Sequence, residues 1–224
     1  MIGFVVAMEK EARLFLSKTQ IIEEKYIASK KVFCGKYSDK DFVLIVTGIG
    51  KVNATIGAQV IIDKFNPEYI INFGVAGGKE GSDLHAGDVV LLDKVCQYDF
   101  DLSEIDNVSI GYMQDYDTIY YDTAIDRYNG KNFIVRSGAT GDRFTNKEYF
   151  LSVIKDLNAQ VVDMESGAIA QVCKSNNIPY LSLKLISDVD GVEGSIFEQY
   201  SNNVEAVCCK VPESIEELVN NINI

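Results

Sequence analysis

Three carboxylates stand where this 224-residue chain could do acid–base chemistry. Glu165 opens a helical pattern carried by Met164, Ala168, Ile169, Val172 and Cys173. Asp188 closes an apolar run, Tyr180 to Ile186, that reads as a buried strand. Glu11 lies just past another such run, Ile2 to Ala7, in the first turn of a predicted helix. Open α/β sheets bind ligands outside the carboxyl ends of their strands, which is where these acids fall. Each also has a structural reading. An acid complements the partial charge of a helix N-terminus, and Glu9 suits that task as well as Glu11. Asp188 could equally cap a turn before Val189-Asp190-Gly191. Taken singly, the three stay open.

The elements that must position them follow from periodicity. Ile2 to Ala7 is β-branched and apolar throughout, as in a strand buried on both faces. A helix starts at Met8. Val32 to Tyr37 and Phe42 to Thr47 read as a hairpin turned at Ser38-Asp39-Lys40. Gly48-Ile-Gly leads into a helix over 54–64 that Pro67 ends; the segment is too short to claim a phosphate loop. Tyr69 to Asn72 is a strand, and Gly74, Gly77 and Gly78 after it read, on their own, as a tight turn. Gly87 to Leu92 is a further strand, with His85 in the loop before it. Residues 96–122, acidic and rich in tyrosine, show no period and read as a long excursion. Ile134 to Ser137 is a strand and 138–145 a glycine-rich loop bearing Phe144. Helices follow over 147–158 and, after Pro212, over 213–220. Strands alternating with helices predict a single α/β domain over 1–224, its sheet mixed but mostly parallel.

Composition narrows the functions. A net charge of −12 disfavours nucleic acid and anionic membrane as partners. One histidine excludes a multi-histidine metal site, and no cofactor motif is present. Five cysteines, an odd number with Cys208 and Cys209 adjacent and no CxxC pair, point to a reducing cytoplasm rather than a disulfide framework. The first apolar run meets charge at Glu9, too early for a signal peptide, and no run approaches the length of a membrane span.

Seven short pieces in fixed order give the chain a resemblance. They are Ala7-Met-Glu-Lys-Glu11, Gly48-Ile-Gly-Lys-Val-Asn53, Ala76-Gly-Gly78, Gly87-Asp-Val-Val90, Thr140-Gly-Asp-Arg-Phe144, Val162-Asp-Met-Glu165 and Ile186-Ser-Asp188. Together they resemble the purine nucleoside phosphorylase/hydrolase superfamily, and within it the bacterial methylthioadenosine/S-adenosylhomocysteine nucleosidases. The resemblance implies hydrolysis of the N-glycosidic bond between adenine and a 5′-thio-substituted ribose. It implies that Glu11 activates water, that Asp188 protonates adenine N7, and that Glu165 binds the ribose hydroxyls with Met164 against the sugar. Phe144 would stack on adenine, with the backbone at Thr145 reading the base edge. Ala7, Met8, Ile49, Val75, Ala76, Gly77 and Ser187 would complete the substrate contacts. Family habit and the apolar residues of the excursion (Phe100, Ile105, Ile110, Tyr112, Met113) imply a homodimer. Three departures are visible: Val75 where the family usually carries Ser or Thr, Lys184 where Arg is common, and a weak match around 99–111.

Rival readings are a phosphorylase of the same fold, a nucleosidase for another adenine nucleoside such as aminodeoxyfutalosine or 5′-deoxyadenosine, and a nucleoside-binding protein. A phosphorylase would bring arginines to its anion, and none lies in 48–53 or 74–78. A mere binder would need no acid–base pair.

Overall fold

A computed structural model describes residues 1–144 and 148–223. In chain order the elements are β1 (Ile2–Val6), α1 (Glu9–Leu16), β2 (Gln20–Ile27), β3 (Lys30–Tyr37), β4 (Lys40–Val46), α2 (Lys51–Phe65), β5 (Tyr69–Gly78), β6 (Val89–Gln97) and α3 (Ser103–Asp106). They continue with β7 (Tyr121–Asp122), β8 (Ile134–Thr140), α4 (Glu148–Asp156), β9 (Val161–Asp163), α5 (Ser166–Asn176), β10 (Tyr180–Val189), α6 (Ile196–Cys208) and α7 (Val211–Asn220).

The strands form one mixed sheet in the order β10-β6-β8-β9-β5-β1-β4-β3-β2, with β7 on β6. Strand β10 also pairs β5, so β5, β9, β8, β6 and β10 close into a ring. The central strands are those whose sequences lack polar alternation. All five residues of β1 and all ten of β10 are buried, and both strands pair in parallel with β5. A strand covered on both faces has no solvent side to mark with polar residues.

Helices cover both faces. One core unites Ala54, Ala58 and Ile61 of α2 with Ile169, Ala170 and Val172 of α5 against Val5, Val43 and Ile70 of the sheet. The other sets Ala12 and Phe15 of α1 and Val211, Ile215 and Leu218 of α7 on Phe4, Phe42 and Phe73. There Phe4 and Phe15 meet at 4.8 Å between ring centroids. Burying side chains of this kind stabilises by about 1.5–3 kcal/mol apiece, which sets these strand ends firmly beneath the site.

Several sequence expectations need correction. The glycines at 74–78 form no turn: β5 runs on through Gly78, pairing with β9 and β10. Backbone hydrogen bonds hold these residues extended despite their poor strand propensity. Likewise Gly138 to Thr140 belong to β8, and the loop begins only at Gly141. The excursion at 96–122 is partly built, with α3, a 3-10 turn at Gln114–Tyr116 and β7. Met113 is buried in the chain's own core, and of the apolar residues expected at an interface only Ile105 is largely exposed. Strand β2 and helix α6 were not foreseen. Strand β2 is an edge strand with mostly exposed side chains and carries no burial pattern.

Candidate active site

A cavity of about 360 Å³ opens where β1, β5 and β10 end, and the three carboxylates line it. Glu11 sits in the first turn of α1, yet only one of its oxygens serves the helix. Oε2 accepts from the Met8 N–H at 2.9 Å, while Oε1 crosses to accept from the Val75 N–H on β5, also at 2.9 Å. Burial pushes its carboxyl up, against the pull of those two N–H groups and the Lys184 charge. Glu9, the alternative candidate, is exposed and approaches Lys31 at 3.9 Å.

Glu165 immediately precedes α5 but does not cap it. Its Oε1 accepts from the Gly50 N–H at 2.9 Å, across the site at the start of α2. Gly50 turns there with φ of 100°, a conformation that suits glycine. The helix is served instead by Asp163, whose Oδ2 accepts from the Ser166 N–H at 3.0 Å. With Asp163 doing the capping, Glu165 is left facing the cavity. Burial first, then the nearby Asp163 charge, pushes Glu165 up to about 7.

Asp188 lies near the end of β10, opposite Gly77 of β5 and just past a register shift at Ser187. Its Oδ1 accepts from the Ser187 hydroxyl at 2.7 Å, and burial raises its proton affinity. The turn-cap reading therefore fails. The glycine run now has its physical reason. A Cβ on Gly74 would stand 2.6 Å from Glu11 Oε1, and one on Gly77 2.9 Å from Asp188 Oδ2. These two positions give the carboxylates their space.

Beneath the site Lys184, 1% exposed, donates to Asp163 Oδ2 at 2.7 Å and to Asn72 Oδ1 at 2.6 Å. Burial alone would raise Asp163; the Lys184 charge and hydrogen bonds from Lys184, Thr140 and Ser166 outweigh it and hold the carboxyl below its ordinary value. Above, α6 is tied to the end of β10. The Gln199 amide bonds both the N–H and the C=O of Val189, and Asn203 donates to the Ser187 carbonyl at 2.9 Å. This brings Ile196, Phe197 and Tyr200 to the cavity. Tyr200 packs edge-on to Phe144 at 5.7 Å and accepts from Lys10 Nζ at 2.7 Å.

Ala7, Met8, Ile49, Val75, Ala76, Gly77, Phe144, Met164 and Ser187 join the three carboxylates around this cavity. Thr145 lies outside the described residues. Sequence reasoning missed Lys79, Asp163, Asp190 and the α6 residues. Asp163 stood two residues before Glu165 without a distinguishing signal. For α6 a signal existed: Ser195 and Glu198 form a capping box, the S-x-x-E pattern that marks a helix start.

Comparison with known proteins agrees with this geometry. The sequence profile of the phosphorylase superfamily matches residues 1–220. The 5′-methylthioadenosine/S-adenosylhomocysteine nucleosidase of Marinomonas sp. (strain MWYL1) is 32% identical over 211 residues, covering 89% of this chain and 90% of its own. The solved S-adenosylhomocysteine nucleosidase of Streptococcus pyogenes, in complex with 5-methylthiotubericidin, superposes with a TM-score of 0.86 at 25% identity, covering 100% of this chain and 97% of its own. The futalosine hydrolase of Helicobacter pylori strain 26695 shares the fold, with a TM-score of 0.87 at 23% identity over 99% of this chain and 97% of its own. This chain belongs to the phosphorylase superfamily and, within it, to the 5′-methylthioadenosine/S-adenosylhomocysteine nucleosidases.

Proposed function

We propose that the protein hydrolyses the N-glycosidic bond of 5′-methylthioadenosine and S-adenosylhomocysteine, releasing adenine and the thio-ribose. The observation that carries this reading is the convergence of Glu11, Glu165 and Asp188 on one cavity, each fixed by a different hydrogen-bond partner. Breaking the bond from C1′ to N9 leaves an oxocarbenium-like sugar and a poor leaving group. Dividing the task between a base on one side and an acid on the other is the logic of inverting glycosidases. Asp188 gives its proton to N7 as the bond electrons enter the purine. Glu11 takes a proton from the water whose oxygen bonds to C1′. Glu165 accepts from the ribose hydroxyls, with Met164 against the sugar face. Phe144 stacks on the adenine. Burial serves the acid directly, since Asp188 must hold a proton until the leaving group needs it.

Water rather than phosphate is the acceptor in this reading. Glu11, Asp163, Glu165, Asp188 and Asp190 line the cavity among the described residues, against Lys79 and Arg143. Lys79 is paired with Asp190, and the buried Lys184 is paired with Asp163. A phosphate dianion placed among these acids in a poorly screened pocket would be repelled by several kcal/mol. The protein works as a homodimer in a reducing cytoplasm; its five free cysteines favour that compartment.

The test is adenine release in phosphate-free buffer, with the sugar product identified. Full turnover giving a free thio-ribose is expected, and Asp188→Asn should lower kcat by at least about 100-fold with the fold retained. Turnover that requires phosphate and yields a ribose 1-phosphate would overturn the reading.

A further inference from the structure

The cross-strand register of β5 and β10 places a second charged pair beside Asp188. Asp188 lies opposite Gly77 and Val189 opposite Gly78. Side chains alternate between faces along a strand. The next pair, Lys79 and Asp190, therefore returns to the face of Asp188, and both residues line the cavity. Lys79 Nζ and Asp190 Oδ2 meet at 2.8 Å, with side-chain exposures of 14% and 18%. Backbone bonds fix both ends: the Asp190 N–H donates to the Gly78 carbonyl and the Lys79 N–H to the Gln160 carbonyl, each at 2.9 Å. Gly191, at φ of 79°, then turns the chain away.

We propose that Lys79 and Asp190 act as a pair of opposite charges on the face of Asp188 that fixes how readily its carboxyl gives up its proton. This rests on the reading of Asp188 as the general acid. A largely shielded ion pair such as this one is a weak contributor to stability, because desolvating both charges offsets their attraction. Its position does have a purpose. An acid that must stay protonated cannot tolerate an unbalanced ammonium nearby, and an unbalanced carboxylate would hold the proton too tightly for release to N7. Lys79 lowers the proton affinity of Asp188 and Asp190 raises it, so the two charges act on it in opposite directions. Among the described residues these are the two charges that act on Asp188. Helix α6, packed on the same strand end, sets the neutral Gln199 and Asn203 against the backbones of Val189 and Ser187, the residues flanking Asp188, and brings Tyr200 to the cavity. Arg143, Glu11, Asp163 and Glu165 also line the cavity.

The experiment is a carbon-13 NMR titration of the intact protein labelled at the aspartate carboxyls. The Asp188 resonance is identified by its loss in Asp188→Asn. Lys79→Met should raise the Asp188 midpoint by about 1 pH unit and Asp190→Asn should lower it by about as much. The double variant should return it close to the starting value, and Lys79→Arg should leave it in place. The pH dependence of adenine release should move in the same directions. A pair that only braced the loop would move both single variants the same way or not at all, and either result overturns the proposal. Lys79→Gln and Asp190→Ser remove the same charges should a first variant not fold. Coupling of midpoints and turnover of Asp188→Asn are separate readouts, so the pair and the acid assignment can fail independently.

Discussion

Glu165 is held where its ionised form is disfavoured. Burial and the Asp163 charge raise its carboxyl to about 7, and in the proposed role it must ionise to accept from the ribose hydroxyls. A group whose folded pKa lies above its unfolded value stabilises the fold fully only below the unfolded value. That contribution is lost as pH rises through the folded one. Here the window runs from about pH 4.5 to about 7. Glu165→Gln keeps the acceptor for the Gly50 N–H and abolishes the charge. The variant should therefore be more stable than the parent at pH 8, by up to about 3 kcal/mol, with the advantage gone below pH 4.5. It should also bind substrate poorly. Thermal melts at the two pH values decide this: an equal difference at both would show that the Glu165 charge is not strained in the fold.

Among the elements, β5 shows how far the sequence could be read. Its first half, Tyr69 to Asn72, was legible because continuous apolar residues mean burial on both faces. Its second half was misread because glycine favours a strand no more than a turn. Only the neighbouring carboxylates explain why glycine stands there, and those come from α1 and β10, remote in sequence. The site residues that were legible stand at element ends, where periodicity stops and a lone acid is conspicuous. Asp163 and Lys79 were not, since a charge near an element end is usually solvated. The physical account of β5 makes a prediction. Gly74→Ala must push a methyl group against Glu11 Oε1, on a carboxylate whose two oxygens are each held by one N–H, Oε1 by Val75 and Oε2 by Met8. A cost of about 1–3 kcal/mol is expected, with a loss of turnover much larger than that destabilisation implies. Activity near the parent's would mean that Glu11 moves freely and is not the fixed base described above.

For the molecule as a whole, the exposed apolar surface points to self-association. Val52 and Ile56 lie one turn apart on α2, with exposures of 71% and 38%, and Ile49 just before the helix is half exposed. Ile105, at 78%, comes from the excursion, which Lys51 ties to α2 through Asp99 at 2.6 Å. A surface helix with its apolar stripe uncovered is a candidate for a two-fold contact. Sedimentation at micromolar concentration should show a dimer, and Val52→Asp should shift it to monomer. A fully active monomeric parent would sink the idea. A separate consequence lies in the ion pair under the cavity. Lys184 and Asp188 share β10, and Asp163 and Glu165 both stand just before α5, so the Lys184–Asp163 contact is a crossbar joining the supports of Asp188 and Glu165. On the proposed reading, the span between purine and ribose is gauged from inside the core, where any change is costly. The rim of Phe144, Phe197 and Ile49 is at least half exposed and carries no such constraint. On the same reading, drift at the rim retunes which 5′ tail is admitted, while the nucleoside stays measured by parts that evolution can hardly move.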